Sequence, residues 1–156
     1  VEYFGLYASP AYLGRQGLPE QPDDLLRHDL LCILSRTGGA VPWVLTNGKQ
    51  HWERPLTARL TANSPELLAR IAARGAGIAA SAQTFAAPYL RTGELVRVLP
   101  EWDLPSARGW AVFPGRRLMP AKTRAFLDMM EAACTERGQR PQGAGGTRPE
   151  AAENRS

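Results

Sequence analysis

Apolar and polar positions along the chain fall into short blocks, some with strand-like and some with helix-like spacing. "YFGLY" (3–7) carries aromatics that suit a pleated, half-buried strand. Ser9-Pro10 breaks it, and "PAYLGRQG" predicts a short helical turn ending at Gly14 or Gly17. Gln21 to His28 opens on Pro-Asp and sets Leu25 beside Leu26, the pattern of a one- or two-turn helix. "LLCIL" (30–34) is an unbroken apolar run, typical of a strand buried on both faces. After the loop "SRTGGAV" (35–41), the stretch from Trp43 to Asn63 predicts a hairpin. There Asn47-Gly48 supplies positive φ angles between runs rich in Trp, Val and Leu. Pro55 in the second run points to an edge strand or a bulge.

"LTANSPELLARIAARGAGIAAS" (60–81) comes next. Pro65 fits the first helical position because it has no N–H to satisfy, which makes Ser64 the expected N-cap. Leu67, Leu68, Ile71 and Ala72 line one face, and Gly75 stands where a left-handed residue closes a helix. "GIAAS" reads as a buried short strand. A further helix fits 84–91, and "GELVRVLPEW" a strand led in by Gly93. "RGWAVFPG" (108–115) is another strand candidate. The longest helix then runs through "MPAKTRAFLDMMEAACTER", with Phe126, Leu127, Met130 and Ala133 as its apolar face. From Gly138 onward no aromatic or β-branched aliphatic residue remains to build a core, so a disordered tail is expected. Strands alternating with helices make the chain α/β, with a mixed or largely parallel sheet.

Composition narrows the function. A chain of 156 residues with 44% hydrophobic and 22% charged residues can bury a sizeable core as one domain. No stretch is long and apolar enough to span a bilayer, no signal peptide opens the chain, and a cytoplasmic protein without membrane partners is expected. The chain starts at Val1 as though inside a strand, which suggests a fragment of something longer. Cys32 and Cys134 are expected to be free thiols in a reducing compartment. His28 and Cys32 are four apart, but no second pair completes a metal site, and His51 sits alone; no metal or cofactor is expected. The net charge is +4, carried by 17 Arg and 2 Lys spread among acids, with Arg116-Arg117 the only adjacent basic pair. Without a basic face or a helix-turn-helix pattern, this segment is not expected to grip DNA itself.

Candidate chemistry is sparse. Gly75 and Gly77 follow a helix, whereas a dinucleotide fingerprint needs its glycines before one, and no P-loop Gly-Lys-Ser/Thr occurs. No G-x-S-x-G elbow surrounds Ser9, Ser35, Ser64 or Ser81. Asp23-Asp24 stand at a helix start, where acids favour the dipole anyway. No enzyme is predicted. The amino end of the 65–74 helix stays open to two roles: Ser64 caps its own helix, or its free amides, with Asn63 and Ser64, hold a carboxylate, sulfate or phosphate.

The order of segments carries a resemblance. "YASPAYL", "PDDLLRHDLL", "PW" before an Asn-Gly hairpin, "LTANSPELLARIAARGAGIA", "GELVRVLPEW", "AVFPGRR" and "PAKTRAFLDMM" follow one another. Over roughly 3–133 the chain resembles the effector-binding (substrate-binding) domain of LysR-type transcriptional regulators. That family implies a periplasmic-binding-protein-like α/β fold of two lobes with an effector in the cleft. The resemblance divides the chain into a nearly complete second lobe (1–106), the C-terminal strand and helix of the first lobe (107–137) and the tail (138–156). It implies effector contacts at Ala62, Asn63 and Ser64, weaker candidates at Ser35, Arg36 and Ser81, and a hinge at Ser9-Pro10. "AASAQ" stands where the family often has a Leu-Pro pair, so the cleft wall from Ser81 to Gln83 departs from the pattern. The implied partners are a small, often anionic, effector, DNA through an N-terminal domain that this chain lacks, and further copies in a homo-oligomer. The alternatives are a free-standing solute-binding protein of the same fold and a dimerisation module.

Overall fold

A computed structural model describes residues 2–106 and 120–137, with side chains as far as 133. The strand expected at 108–115, Arg116-Arg117, the Cys134 side chain and the tail from 138 lie outside the described residues.

β1 (Phe4–Ala8) leads directly into α1 (Pro10–Gln16), which Ser9 caps by accepting from the Tyr12 amide at 3.2 Å and which closes at Gly17, not Gly14. The Gln21–His28 helix is a 3-10 helix, Pro22–Arg27. Asp24 Oδ2 accepts from the Glu20 and Gln21 amides at 3.0 Å each, and these bonds hold the Asp24 carboxyl below its ordinary pKa. β2 (Leu30–Ile33) follows, then β3 (Val44–Thr46), β4 (His51–Glu53) and β5 (Ala58–Ala62).

The long hairpin expected from Trp43 to Asn63 splits. β3 and β4 pair antiparallel, with Thr46 opposite His51. In the turn only Gly48 takes a positive φ (86°); Asn47 contributes its side chain, whose Oδ1 accepts from the Lys49 and Gln50 amides. Past Pro55 the chain leaves the hairpin, and β5 joins the main sheet parallel to β2. A proline has no donor for the hairpin ladder, so pairing stops there.

α2 (Pro65–Ala73), β6 (Ile78–Ala82), α3 (Gln83–Thr92) and β7 (Val96–Val98) complete the main body, and α4 (Ala121–Arg137) follows separately. The main sheet has the order β5-β2-β6-β1-β7. β5, β2 and β6 are parallel, while β1 runs antiparallel to both β6 and β7, so the sheet is mixed.

Both faces are covered, which explains the unbroken apolar runs. Successive side chains point to opposite faces. Leu6, Leu30, Cys32 and Ile78 pack with Tyr12, Leu25 and the hairpin residues Trp43, Leu45 and Trp52. Tyr7, Leu31 and Ala79 pack with Leu68 and Ala72 of α2 and Ala86 of α3. The two glycines after α2 divide the work. Gly75 takes φ 84° and ends the helix, while Gly77 lies so close to β2's approach that a methyl there would run into the Asp29 carbonyl oxygen. The Ile78 amide donates to that same carbonyl at 2.8 Å, which starts the β6 ladder.

Candidate functional site

Parallel strands send their carboxyl ends to one edge, where loops that leave toward opposite faces open a crevice. Here the loop out of β2 turns toward the hairpin face, while the loops out of β5 and β6 turn toward α2 and α3. That edge collects Ser35-Arg36 after β2, Ala62-Asn63-Ser64 after β5, and the Ser81–Thr84 segment at the end of β6. β1, running the other way, brings Glu2 and Tyr3 to the same edge, since Phe4 lies opposite Ala82.

The members differ in what they can offer. Ser64 Oγ accepts from the Leu67 amide at 3.2 Å, so its hydroxyl caps α2. Pro65 carries no N–H, and the Glu66 amide, in the first turn, has no carbonyl within the helix to donate to. Asn63 is exposed beside it. Ala62 accepts from the Leu34 amide at 2.9 Å through its carbonyl and offers no polar side chain. Ser35 is spent on its own turn: its Oγ donates to the Gly38 carbonyl at 2.6 Å and lies 3.1 Å from Thr37 Oγ1. Arg36 is exposed at the tip of that turn.

Ser81 stands apart. It is fully buried within β6, and its hydroxyl donates a long hydrogen bond, 3.4 Å, to the Ala82 carbonyl. Ser9-Pro10 lies at the opposite edge, where Ser9 caps α1 and its Oγ approaches Gly75 ahead of β6. The strand-end edge therefore gathers Ala62, Asn63, Ser64, Ser35 and Arg36, with Ser81 buried in β6 beside it and Ser9-Pro10 at the opposite edge.

Two residues that the sequence pattern did not single out belong to the same edge. Glu2 Oε1 accepts from the Thr84 amide at 3.2 Å and from Thr84 Oγ1 at 2.6 Å. The Tyr3 carbonyl takes the Gln83 amide at 2.9 Å. Contacts across such a sequence separation leave no periodic trace, and the helix start fitted at 84 gave no sign of them.

Elsewhere, burial sets the chemistry. The Cys32 thiol is pushed up to about 11 by burial, and a protonated thiol is a poor nucleophile. The Tyr7 hydroxyl is raised by burial, with Arg97 opposing and the Glu2 charge adding to the rise. A groove of about 630 Å³ lies away from the crevice, against Asp23, Asn47, His51, Trp52 and Trp102. Its wall is tied by Trp52 Nε1 donating to Asp23 Oδ1 at 2.7 Å. Among the described residues no group of three His, Cys, Asp or Glu side chains converges as a metal site. Nor, among them, is any helix long and apolar enough to cross a membrane.

The mixed sheet carries α2 and α3 on one face and α1 with the hairpin on the other. The sequence model of the LysR substrate binding domain matches residues 2–135. The chain belongs to that family. The LysR-domain chain is 32% identical over 136 residues to the HTH-type transcriptional activator TtdR of Escherichia coli strain K12, covering 87% of this chain and 44% of that one. It is 34% identical over 127 residues to the HTH-type transcriptional regulator PtxR of Pseudomonas aeruginosa, covering 79% and 39%. The LysR-domain chain thus spans under half the length of these relatives. Among solved structures, the regulatory domain of AphB from Vibrio vulnificus superposes with a TM-score of 0.67 at 26% identity, over 85% of this chain and 65% of that one. The CrgA regulatory domain of Neisseria meningitidis shares the fold, with a TM-score of 0.59 at 20% identity over 85% and 64%. The α/β fold is therefore the periplasmic-binding-protein-like fold of LysR-type regulatory domains, and the named relatives are transcription regulators.

Proposed function

We propose that this domain senses a small anionic organic molecule for a cytoplasmic LysR-type transcription regulator, and that the molecule's carboxylate sits at the amino end of α2. The observation that carries the proposal is the open state of that end: an exposed Asn63 amide and a Glu66 N–H without an intrahelical acceptor, at the crevice edge of the sheet. Free first-turn amides and the helix dipole favour negative charge. The exposed Arg36 on the neighbouring loop adds a cation to the same edge.

The mechanism is differential binding, not catalysis. A ligand shifts an equilibrium between domain arrangements only by as much as it prefers one of them. In the regulator that contains this domain, a winged helix-turn-helix carried elsewhere reads DNA, and copies assembled as a homo-oligomer transmit the bias between sites.

Asn63→Ala in the intact regulator tests this. Effector response should weaken by about tenfold, in line with the loss of one charge-assisted hydrogen bond, while basal DNA binding stays within about twofold. Ser64→Ala also removes the helix cap, so it lowers helix stability by about 1 kcal/mol and is the less direct probe. Unchanged effector response in Asn63→Ala would remove the α2 end from the site.

A further inference from the structure

We propose that the groove between the hairpin and the turn after β7 is a second binding site, and that it takes a small organic ammonium ion. The site lies apart from the amino end of α2 and does not rest on the effector reading above.

The groove measures about 630 Å³, within the range of small-molecule sites. Stretches far apart in sequence build it: the start of the 3-10 helix at Asp23, the hairpin from Asn47 to Trp52, and Glu101-Trp102 past β7. The fold holds these walls in register. Thr46 and Asp103 exchange both backbone hydrogen bonds, at 3.0 and 2.8 Å, which pins the Glu101-Trp102 turn beside the hairpin. Arg97 Nη2 holds the same turn from β7, donating to Asp103 Oδ1 at 2.9 Å. Leu99 opens the turn with φ 49°, a left-handed backbone that a branched side chain adopts only at a cost. The Trp102 amide closes it by donating to the Leu99 carbonyl at 2.9 Å.

The lining has charge of one sign. Asp23 and Glu101 supply carboxylates and no lysine or arginine joins the walls, although the chain carries a net charge of +4. Lys49 and Arg54 are neighbours in sequence that stay outside the lining. Arg54 Nε is 3.9 Å from Asp23 Oδ1, and both side chains are exposed, so water screens the pair. Trp52 Nε1 donates to Asp23 Oδ1 at 2.7 Å, and Oδ2 has no partner among the described residues. Glu101 is exposed and, among the described residues, paired with no cation. The side-chain amides of Asn47 and Gln50 are neutral and bond each other at 3.0 Å, which leaves charge recognition to the two carboxylates. His51, the remaining titratable group of the lining, lies 3.6 Å from Glu53.

Trp52 and Trp102 complete the chemistry. Trp52 is only 8% exposed and is fixed by its bond to Asp23, and Trp102 is half-buried. An indole beside a carboxylate attracts an organic cation through both ring and charge, and it gives the cation's alkyl groups an apolar wall. An anion meets two like charges in the same groove and no cation in its walls.

The test reads the indole Nε1–H signals of Trp52 and Trp102 by NMR in the full chain. It is run at constant ionic strength and about pH 8, where a histidine is ordinarily uncharged. The probes are choline and its neutral analogue with carbon in place of nitrogen, which match in shape and differ in charge. Trp43, buried and outside the lining, is the reference signal. Choline should move both groove signals saturably and bind about tenfold more tightly than the neutral analogue. Glu101→Gln alters an exposed side chain, and unchanged β3 and β4 amide shifts would report an intact hairpin. It should weaken choline about threefold and leave the neutral analogue unaffected. Equal binding of the two probes overturns the proposal, since shape alone then fills the groove. Choline binding that Glu101→Gln leaves unchanged overturns it too, as does a choline response that is absent or confined to Trp43.

Discussion

At the scale of single residues, the glycines after α2 show how the same residue type serves two different constraints. Gly75 is a conformational requirement, a left-handed close to a helix, and was legible from its position after the apolar face. Gly77 is a steric requirement, set by the Asp29 carbonyl, and only the fold brings Asp29 there. Gly77→Ala should therefore cost about 2–4 kcal/mol, because backbone must move and the Ile78-to-Asp29 hydrogen bond that opens β6 is strained with it. Urea denaturation of the two proteins measures the difference. A cost near the modest value of an exposed glycine would mean that the strand shifts freely, and that the close approach is not a fixed feature. Ser64 was equally legible as a cap, since Ser-Pro before an apolar stripe is a local signal. Glu2 was not, because its partner lies on another element and no local pattern couples the two.

At the scale of elements, the least legible join is the one between α1 and the segment leading to β2. The Asp29 amide donates to the Tyr12 hydroxyl at 2.8 Å, and the hydroxyl lies 3.1 Å from His28 Nδ1. A neutral imidazole with its proton on Nε2 leaves Nδ1 free to accept from the Tyr12 hydroxyl, which itself accepts from the Asp29 amide. Burial lowers the His28 pKa from its ordinary 6.5, with Asp24 and Asp29 opposing. A folded pKa below the unfolded one means that the unfolded chain binds more protons as pH falls. This contribution to stability is therefore complete above about 6.5 and is lost as pH drops through the folded value. The Asp24 shift acts in a lower window, beginning below its ordinary 3.8, so the two are separable. Denaturant midpoints measured across the upper window should fall with pH in the unsubstituted chain and stay flatter in His28→Gln. Tyr12→Phe should lose about 1–3 kcal/mol at neutral pH, because it leaves the Asp29 amide without its acceptor. Equal slopes with and without His28 would rule out the neutral-imidazole join. The hairpin teaches a related lesson: its turn was legible from Asn-Gly, but its second run belonged to two sheets, and Pro55 marked the break without saying where β5 would go.

At the scale of the whole molecule, burial separates a core from an appendage. Leu68, Ala72, Ile78 and Ala79 are fully buried around the main sheet, whereas Phe126, Met129 and Met130 of α4 are 55%, 60% and 45% exposed. The apolar side of α4 was visible in the sequence as helical spacing; what it packs against was not, because a stripe names no partner. An isolated helix of this length is marginal in water, and most helical stability in proteins comes from burying such a stripe. Opening free energies follow burial, so the amides of α4 between Phe126 and Ala133 should exchange with solvent at least about a hundredfold faster than those of Leu68–Ala72 in α2 and Ala79–Ser81 in β6. Hydrogen exchange read by mass spectrometry resolves these segments. In the intact regulator, where a first lobe is proposed to complete the crevice, the same α4 amides should gain protection while those of β6 change little. Protection in α4 equal to that of β6 in this chain would mean that Phe126, Met129 and Met130 are already covered in solution. The helix would then owe its order to contacts within this chain, and its apolar side would no longer support the proposed first lobe.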